Sequence, residues 1–364
     1  MKQKILLLIK VPPPLTGATI MNTRIRDILF NVTDFSIDTI EMSYANTVSD
    51  IGVFRFKKII LVIKYYFSLI KKLFNSNYNF VYFQISPLGS TFIRDLIFVL
   101  IIKLSKTKIV YHLHGKGIKK KMKNNIYKRL YKYAFHNEAI ILLSNLLKFD
   151  IEEINKNEVF IIPNGIPPIK YKQKIFSQNE KPLNILFLSN LFFSKGIMNF
   201  IEVIEILVKK KIKIKGFIVG AEADLTKDSL EEIIKSKNLG RNLIYLGPKY
   251  GNEKNKILSK TDLLIYPTLE DIWGNVNLEA MQIGIPVIAT EEGAIPEIID
   301  DGITGFIVEK NNLQQIVEKV EVFYNNRILL EKMGKAARIK YEEQYTMEVF
   351  RKNIIKTFGT ILKN

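Results

Sequence analysis

Asp271-Ile272-Trp273-Gly274-Asn275-Val276-Asn277-Leu278-Glu279-Ala280-Met281 follows the apolar run Asp262-Leu263-Leu264-Ile265-Tyr266-Pro267. The run reads as a short buried strand closed by Pro267, the polar segment with one Gly as a loop, and the segment from near Val276 as a helix carrying Glu279 in its first turns. Strand, loop and helix in this order form the repeating unit of an open α/β sheet. In such sheets ligands collect at the carboxyl ends of strands, where loop amides and a helix N-terminus face a phosphate or a sugar. Asp271 and Glu279 stand at the two ends of this turn, with seven residues between them. Taken alone, such a pair reads first as a capping residue, Asp271, and a solvated helix residue, Glu279.

Outward from this turn the same unit repeats. Leu183 to Leu188 reads as a strand, Ser189 to Gly196 as a loop holding Asn190 and Lys195, and Ile197 to Lys210 as a helix. Lys195, just before a helix start, is placed where a cation and free backbone N–H groups jointly hold a phosphate. Ile214 to Val219, Leu243 to Leu246 and Pro286 to Thr290 read as further strands, and after the last of these Gly293 offers bare backbone amides at another strand end. A turn from Asp301 leads into a final strand, followed by two helical segments.

The first half has the same rhythm. Gln3 to Val11 is an apolar run ending at Pro12-Pro13-Pro14, with Gly17 in the loop before a helical pattern from Ile20 to Phe30. One Gly there lets the chain approach a ligand closely, or makes an ordinary tight turn. Ile37 to Met42 and Phe80 to Ser86 read as strands, and Phe54 to Phe74 and Ser90 to Ser105 as helices. In Lys108 to Gly115, alternation sends His112 and His114 to one face, and Gly115 lets the chain turn at once. Ala139 to Ser144 and Val159 to Ile162 complete this half.

A chain of 364 residues exceeds the size of a single hydrophobic core, so two domains are expected. They are placed at 1–170 and 183–340, joined by a polar linker at 171–182, with 341–364 a C-terminal helix packing back toward the first domain. Hydrophobic residues make up 47% of the chain, which excludes a largely disordered protein. There is no Cys, hence no disulfide framework and no thiolate chemistry. No His and carboxylate spacing suits a metal, and Gly-x-x-x-x-Gly-Lys-Ser/Thr does not occur, which argues against a metal-centred reaction and a P-loop nucleotidase. The opening apolar run is too short for a signal peptide, and no run approaches a membrane span. A soluble cytoplasmic protein is expected.

The formal charge of +18 is unevenly spread: residues 1–180 hold 28 Lys and Arg against 12 Asp and Glu, and residues 181–364 hold 26 against 24. Arg55 to Phe74 and Lys116 to Lys132 dominate the excess. Arg55 to Phe74 mixes Lys with Phe, Ile, Leu and Tyr at helical spacing. That pattern suits a helix lying on an anionic membrane surface, a docked helix with snorkelling Lys, or an attraction to nucleic acid. The membrane surface is the preferred partner, and no nucleic acid is expected.

Several of these pieces match one pattern in order. Pro13 to Thr19, His114-Gly115, Ile162 to Ile166, Lys195-Gly196 and the run from Ile265 to Phe306 are similar to family 4 of the retaining glycosyltransferases. Glu279-Ala280-Met281, Gly284 to Ala289 and Pro296-Glu297 carry the likeness most closely. The resemblance implies an α/β protein of GT-B architecture, with two doubly wound Rossmann-like domains and an interdomain cleft. It implies a UDP- or GDP-sugar donor as substrate, with no cofactor and no metal, and a glycan or lipid-linked acceptor. By the same resemblance Glu279 binds the donor ribose, Lys195 the diphosphate, and Asp271 the sugar hydroxyls, unless Glu270 takes that place. Gly274 and Asn275 offer backbone N–H groups, His114 faces the transferring sugar, and Gly17 lies beside the diphosphate. Asn190 stands where the family often has Arg. An epimerase or hydrolase of the same fold, or a non-catalytic basic membrane- or nucleic-acid-binding protein, are the alternatives.

Overall fold

The computed structural model describes residues 2–46, 56–169 and 181–363. Of the expected linker at 171–182 all but the last two residues lie outside these, as do Phe54 and Arg55. The chain divides into two units, one of Met1–Asn164 with Glu348–Asn364, the other of Gly165–Met347. The sequence-based boundaries at 170 and 340 differ by a few residues for a local reason. Ile166 bridges Thr346, and the Tyr341 hydroxyl donates to the Ile166 carbonyl at 3.1 Å, tying both segments into the second unit.

In the first unit the elements run β1 (Gln3–Lys10), α1 (Gly17–Phe30), β2 (Phe35–Met42), α2 (Phe56–Asn75), β3 (Phe80–Phe83), α3 (Gly89–Leu104) and β4 (Lys108–His112). They continue as α4 (Ile118–Lys121), α5 (Asn125–Phe135), β5 (Ala139–Leu142) and β6 (Val159–Ile161). The strands are parallel in the order β2-β1-β3-β4-β5-β6. A parallel sheet is covered on both faces, which is why Ile5 to Ile9 are all buried without alternation.

The second unit repeats the plan with β7 (Leu183–Leu188), α6 (Ile197–Lys209), β8 (Ile214–Val219), α7 (Lys227–Ser236), β9 (Leu243–Tyr245), α8 (Gly251–Lys260) and β10 (Leu263–Tyr266). It continues through α9 (Asn275–Met281), β11 (Val287–Thr290), α10 (Ile295–Ile298), β12 (Gly305–Val308), α11 (Leu313–Asn325) and α12 (Arg327–Gln344). The order is β12-β11-β10-β7-β8-β9, all parallel. On α6, Ile197, Phe200, Ile201, Ile204 and Leu207 recur at helical spacing and join the core with Phe187, Ile218 and Val320. The last helix, α13 (Met347–Lys363), buries Phe350, Ile354, Phe358 and Ile361, and its Phe358 ring lies 5.5 Å from both Phe80 and Tyr82 of β3.

Strand order fixes where a ligand can sit. Helices flanking a doubly wound sheet leave a crevice where the order reverses, between β1 and β3 in the first unit and between β7 and β10 in the second. The loops at those carboxyl ends are the ones that carry Gly17, Lys195 and Asp271.

Candidate functional site

At the β7/β10 reversal two loops are stitched together. The Ser194 carbonyl, in a 3-10 turn over Phe193–Lys195, accepts from the Leu269 and Glu270 N–H groups at 2.8 and 3.0 Å. Gly196 makes this approach possible. It is buried at φ +77°, and a Cβ there would lie 1.9 Å from the Pro267 carbonyl oxygen. The result brings Lys195 and Asp271 together across 76 positions of sequence, with Nζ 2.8 Å from Oδ2 and 2.9 Å from the Glu270 carbonyl. An ammonium has three N–H groups, and the third has no partner among the described residues.

Asp271 is the hub of this loop. Its Oδ2 also accepts from the Tyr266 hydroxyl, and its Oδ1 from the Ile272 and Trp273 N–H groups at 2.7 and 3.3 Å. Burial pulls its pKa upward, but the charge and hydrogen bond of Lys195, with the bonds from Tyr266 and Ile272, outweigh it and hold the carboxyl below the ordinary range. Burial and the neighbouring Asp271 raise the Tyr266 phenol well above its usual value, so it remains a donor. The buried Glu292 accepts from the Asp271 N–H at 3.3 Å and pairs with Lys310. Gly293 backs the same loop. At φ +58° its position would bring a Cβ within 2.6 Å of the Asp271 carbonyl oxygen, and the next N–H, of Ala294, donates to the Ile272 carbonyl at 2.8 Å.

Glu279 lies one turn into α9, where Lys254 of α8 places Nζ 2.9 and 2.8 Å from its two oxygens. Gly274 is the N-cap of α9 and Asn275 its first residue. Asn277 is fully buried, and neither polar atom of its side chain has a hydrogen-bond partner among the described residues. Asn190 is half-buried, and its Oδ1 accepts from the Ala221 N–H at 3.1 Å, bracing the loop after β7 against the one after β8.

Sequence reasoning missed Tyr266, Lys254, Glu292 and Asn277. Tyr266 sits inside an apolar run where its hydroxyl gives no signal, and Lys254 and Glu292 are ordinary charged residues until the fold brings them to Glu279 and Asp271. An Asn within a helical pattern was the one available cue to Asn277.

In the first unit, Gly17 is the exposed first residue of α1, beneath a cap in which Thr16 and Thr19 exchange side-chain and backbone hydrogen bonds at 3.2 and 2.9 Å. His114 follows β4, its ring 4.2 Å from that of His112, on the one face that alternation requires. Burial, and then the charge of Lys10, push His114 down to about 4, so the imidazole is neutral at neutral pH. Its Nε2 is buried without a hydrogen-bond partner among the described residues. His112 is held at Nδ1 by the Tyr82 hydroxyl at 2.6 Å, and its own Nε2 is likewise buried without a hydrogen-bond partner among the described residues.

Residues 169–340, which contain Asn190, Lys195, Tyr266, Asp271, Glu279 and Gly293, match the family model for glycosyl transferases group 1. Among curated proteins, the capsular polysaccharide biosynthesis glycosyltransferase CapM of Staphylococcus aureus is 28% identical over 240 residues, 62% of each chain. The chain spans about half to three fifths of the length of the first such relatives it matches. Among solved structures, sucrose-phosphate synthase from Thermosynechococcus elongatus superposes with a TM-score of 0.77 at 14% identity, covering 100% of both chains. Anabaena HepE in complex with UDP and glucose gives 0.71 at 16% identity, covering 98% of this chain and 100% of its own. At such identities the likeness is one of fold, the two-sheet α/β architecture known as GT-B.

Proposed function

We propose that the chain is a retaining, metal-independent glycosyltransferase that moves a sugar from a nucleotide-sugar donor to a glycan or lipid-linked acceptor in cell-surface polysaccharide synthesis. The Lys195–Asp271 pair at the β7/β10 reversal, inside the segment matched to glycosyl transferases group 1, carries this reading. CapM, which by its name serves capsular polysaccharide synthesis, supports the pathway, and HepE, solved with UDP and glucose, supports the donor class.

The chemistry follows from where charge develops. As the bond from the anomeric carbon to the diphosphate stretches, positive charge spreads over the sugar ring and negative charge gathers on the leaving phosphate. A preorganised cation stabilises that leaving group without reorganising at the moment of reaction. Lys195 is such a cation. Asp271, Tyr266 and the Glu270 carbonyl fix its position, and its remaining N–H points to the phosphate. Amides of the Gly274–Asn275 turn and of Gly293 add dipoles, and Asn190 lies in the same loop as Lys195. Glu279, oriented by Lys254, takes the ribose hydroxyls. In the first unit the neutral imidazole of His114 is the sugar-facing donor or acceptor, and the α1 terminus at Gly17 serves the diphosphate.

The acceptor side is proposed to meet an anionic membrane surface. Within α2 only Leu69 is buried, while Ile60, Ile63, Phe67, Ile70 and Phe74 form an exposed stripe with five Lys and no acidic residue on the same helix. No helix among the described residues is long and apolar enough to cross a membrane. Cosedimentation with vesicles containing anionic lipid checks this. Binding should fall at least tenfold in Phe67→Glu, and equal binding to neutral vesicles would contradict it.

Transfer itself is tested by supplying UDP- and GDP-sugars with lipid extract and reading the product anomer by NMR. The expected product keeps the donor's anomeric configuration, at a rate that a chelator does not change. Release of free sugar at the same rate without acceptor would instead identify a hydrolase or epimerase.

A further inference from the structure

The first unit contains a cavity of about 670 Å3 at the β1/β3 reversal, a volume typical of small-ligand pockets. Its surface is predominantly apolar, formed by Met42 at the end of β2, Ile59, Val62, Ile63 and Tyr66 of α2, and Ile97 of α3. Three cations, Lys10, Lys58 and Arg94, are part of the lining. Lys10 and Arg94 both line the cavity and both bind the fully buried Asp95, Lys10 Nζ at 3.2 Å and Arg94 at 2.6 and 2.8 Å. The Ser86 hydroxyl lies 2.5 Å from Lys10 Nζ. Two cations share one carboxylate, and among the described residues no Asp or Glu lines the cavity. Lys10 and Arg94 thus carry one positive charge more than the carboxylate they share, and both face this mostly apolar space. Burial lowers the Lys10 pKa despite Asp95, so an anion there would relieve an existing cost.

The mouth is apolar as well. Ile59, Ile63 and Ile97 line the cavity and are still 38%, 46% and 44% exposed, continuous with the outward stripes of α2 and α3. A bare glycan would leave these walls dry and unmatched, and inorganic phosphate would use only the charged end.

We propose that this cavity binds one lipid chain bearing a phosphate, with the chain along Ile59, Val62, Ile63 and Ile97 and the phosphate at Lys10 and Arg94. The inference rests on the reading that the acceptor is lipid-linked and gives that acceptor its binding site. Because the charge of Lys10 acts on His114, the phosphate end is also the end nearest in electrostatic terms to the imidazole assigned to the sugar.

Calorimetric titration of the full chain, without donor or vesicles, tests it. Farnesyl phosphate and dodecyl phosphate are the probes below their aggregation limits, and farnesol and inorganic phosphate are the controls. At least one lipid phosphate should bind ten times more tightly than either control, and the tighter of the two reports a branched or a linear chain. Ile63→Trp, which fills the mouth from a half-exposed position, should weaken that binding at least tenfold while UDP still raises the melting temperature as in the unaltered chain. Phe74→Ser, at the far end of the stripe and 90% exposed, should leave it within twofold. Farnesol binding as tightly as farnesyl phosphate, or Phe74→Ser and Ile63→Trp losing affinity alike, would overturn the proposal. Neither result depends on turnover, so failure of the transferase reading would show separately, as UDP having no effect on melting.

Discussion

Lys195→Ala is expected to lower kcat by roughly 100- to 1000-fold, the range for removing one preorganised group from a developing oxyanion. The cation is held on two sides before any ligand arrives, by Asp271 and by the Glu270 carbonyl, so its loss cannot be made good by a neighbouring flexible lysine. Asn190 offers no replacement charge, and its carbonyl oxygen is already engaged by Ala221. The substitution also strands Asp271, although Tyr266 and two backbone N–H groups still serve its carboxylate. The stability loss should therefore stay at roughly 1–3 kcal/mol, the cost of an incompletely satisfied buried polar group. Steady-state kinetics beside a urea titration separates the two effects. A folded Lys195→Ala protein with more than a tenth of the normal kcat would remove Lys195 from the leaving-group role.

Glu279→Ala should act on donor binding. A carboxylate accepting from two ribose hydroxyls contributes roughly 1.5–3 kcal/mol for a hydrogen bond to a charged group, so UDP affinity should fall about 10- to 100-fold. Lys254 donates to Oε1 of Glu279 and pairs by charge with Oε2, which orients the carboxylate, limits the rotamers it must surrender on binding and leaves Oε2 without a hydrogen-bond partner among the described residues. Lys254→Met should accordingly weaken UDP binding less than Glu279→Ala does. Equal affinity for UDP in the unaltered chain and in Glu279→Ala would contradict the ribose assignment.

Much of this architecture was legible from residue pattern. Leu263 to Tyr266 and Ile5 to Ile9 are near-continuous apolar runs because both faces of a parallel strand are covered, and a Gly or Pro follows closely enough to mark each end. What pattern could not supply was encounter across the sheet. Lys195 and Asp271 were each assigned a ligand, yet nothing in their local sequence says that β7 and β10 are neighbours, which is a property of the strand order. The same holds for Lys254 and Glu279, on helices that follow different strands. Helix α2 shows the limit from the other side. Its spacing announced an amphipathic helix but left open whether the apolar face was docked or bare, and the structure shows both: Leu69 is buried and Tyr66 packs on Phe98 of α3, while the stripe from Ile60 to Phe74 is exposed and part of the helix walls a cavity. The cavity's charged end is equally non-local, since Lys10, Ser86 and Asp95 meet only because β1 and β3 are adjacent.

The central claim is that the second unit holds a nucleotide-sugar, and the melting temperature of the unaltered chain against UDP tests it most directly. At a hundredfold excess over Kd, mass action stabilises the binding-competent state by about 2.7 kcal/mol, or about 5–10 °C for a domain of this size. A saturable rise of that order with UDP or GDP, reduced in Glu279→Ala, is the predicted result. No shift with any nucleoside diphosphate or nucleotide-sugar at millimolar concentration would contradict the account.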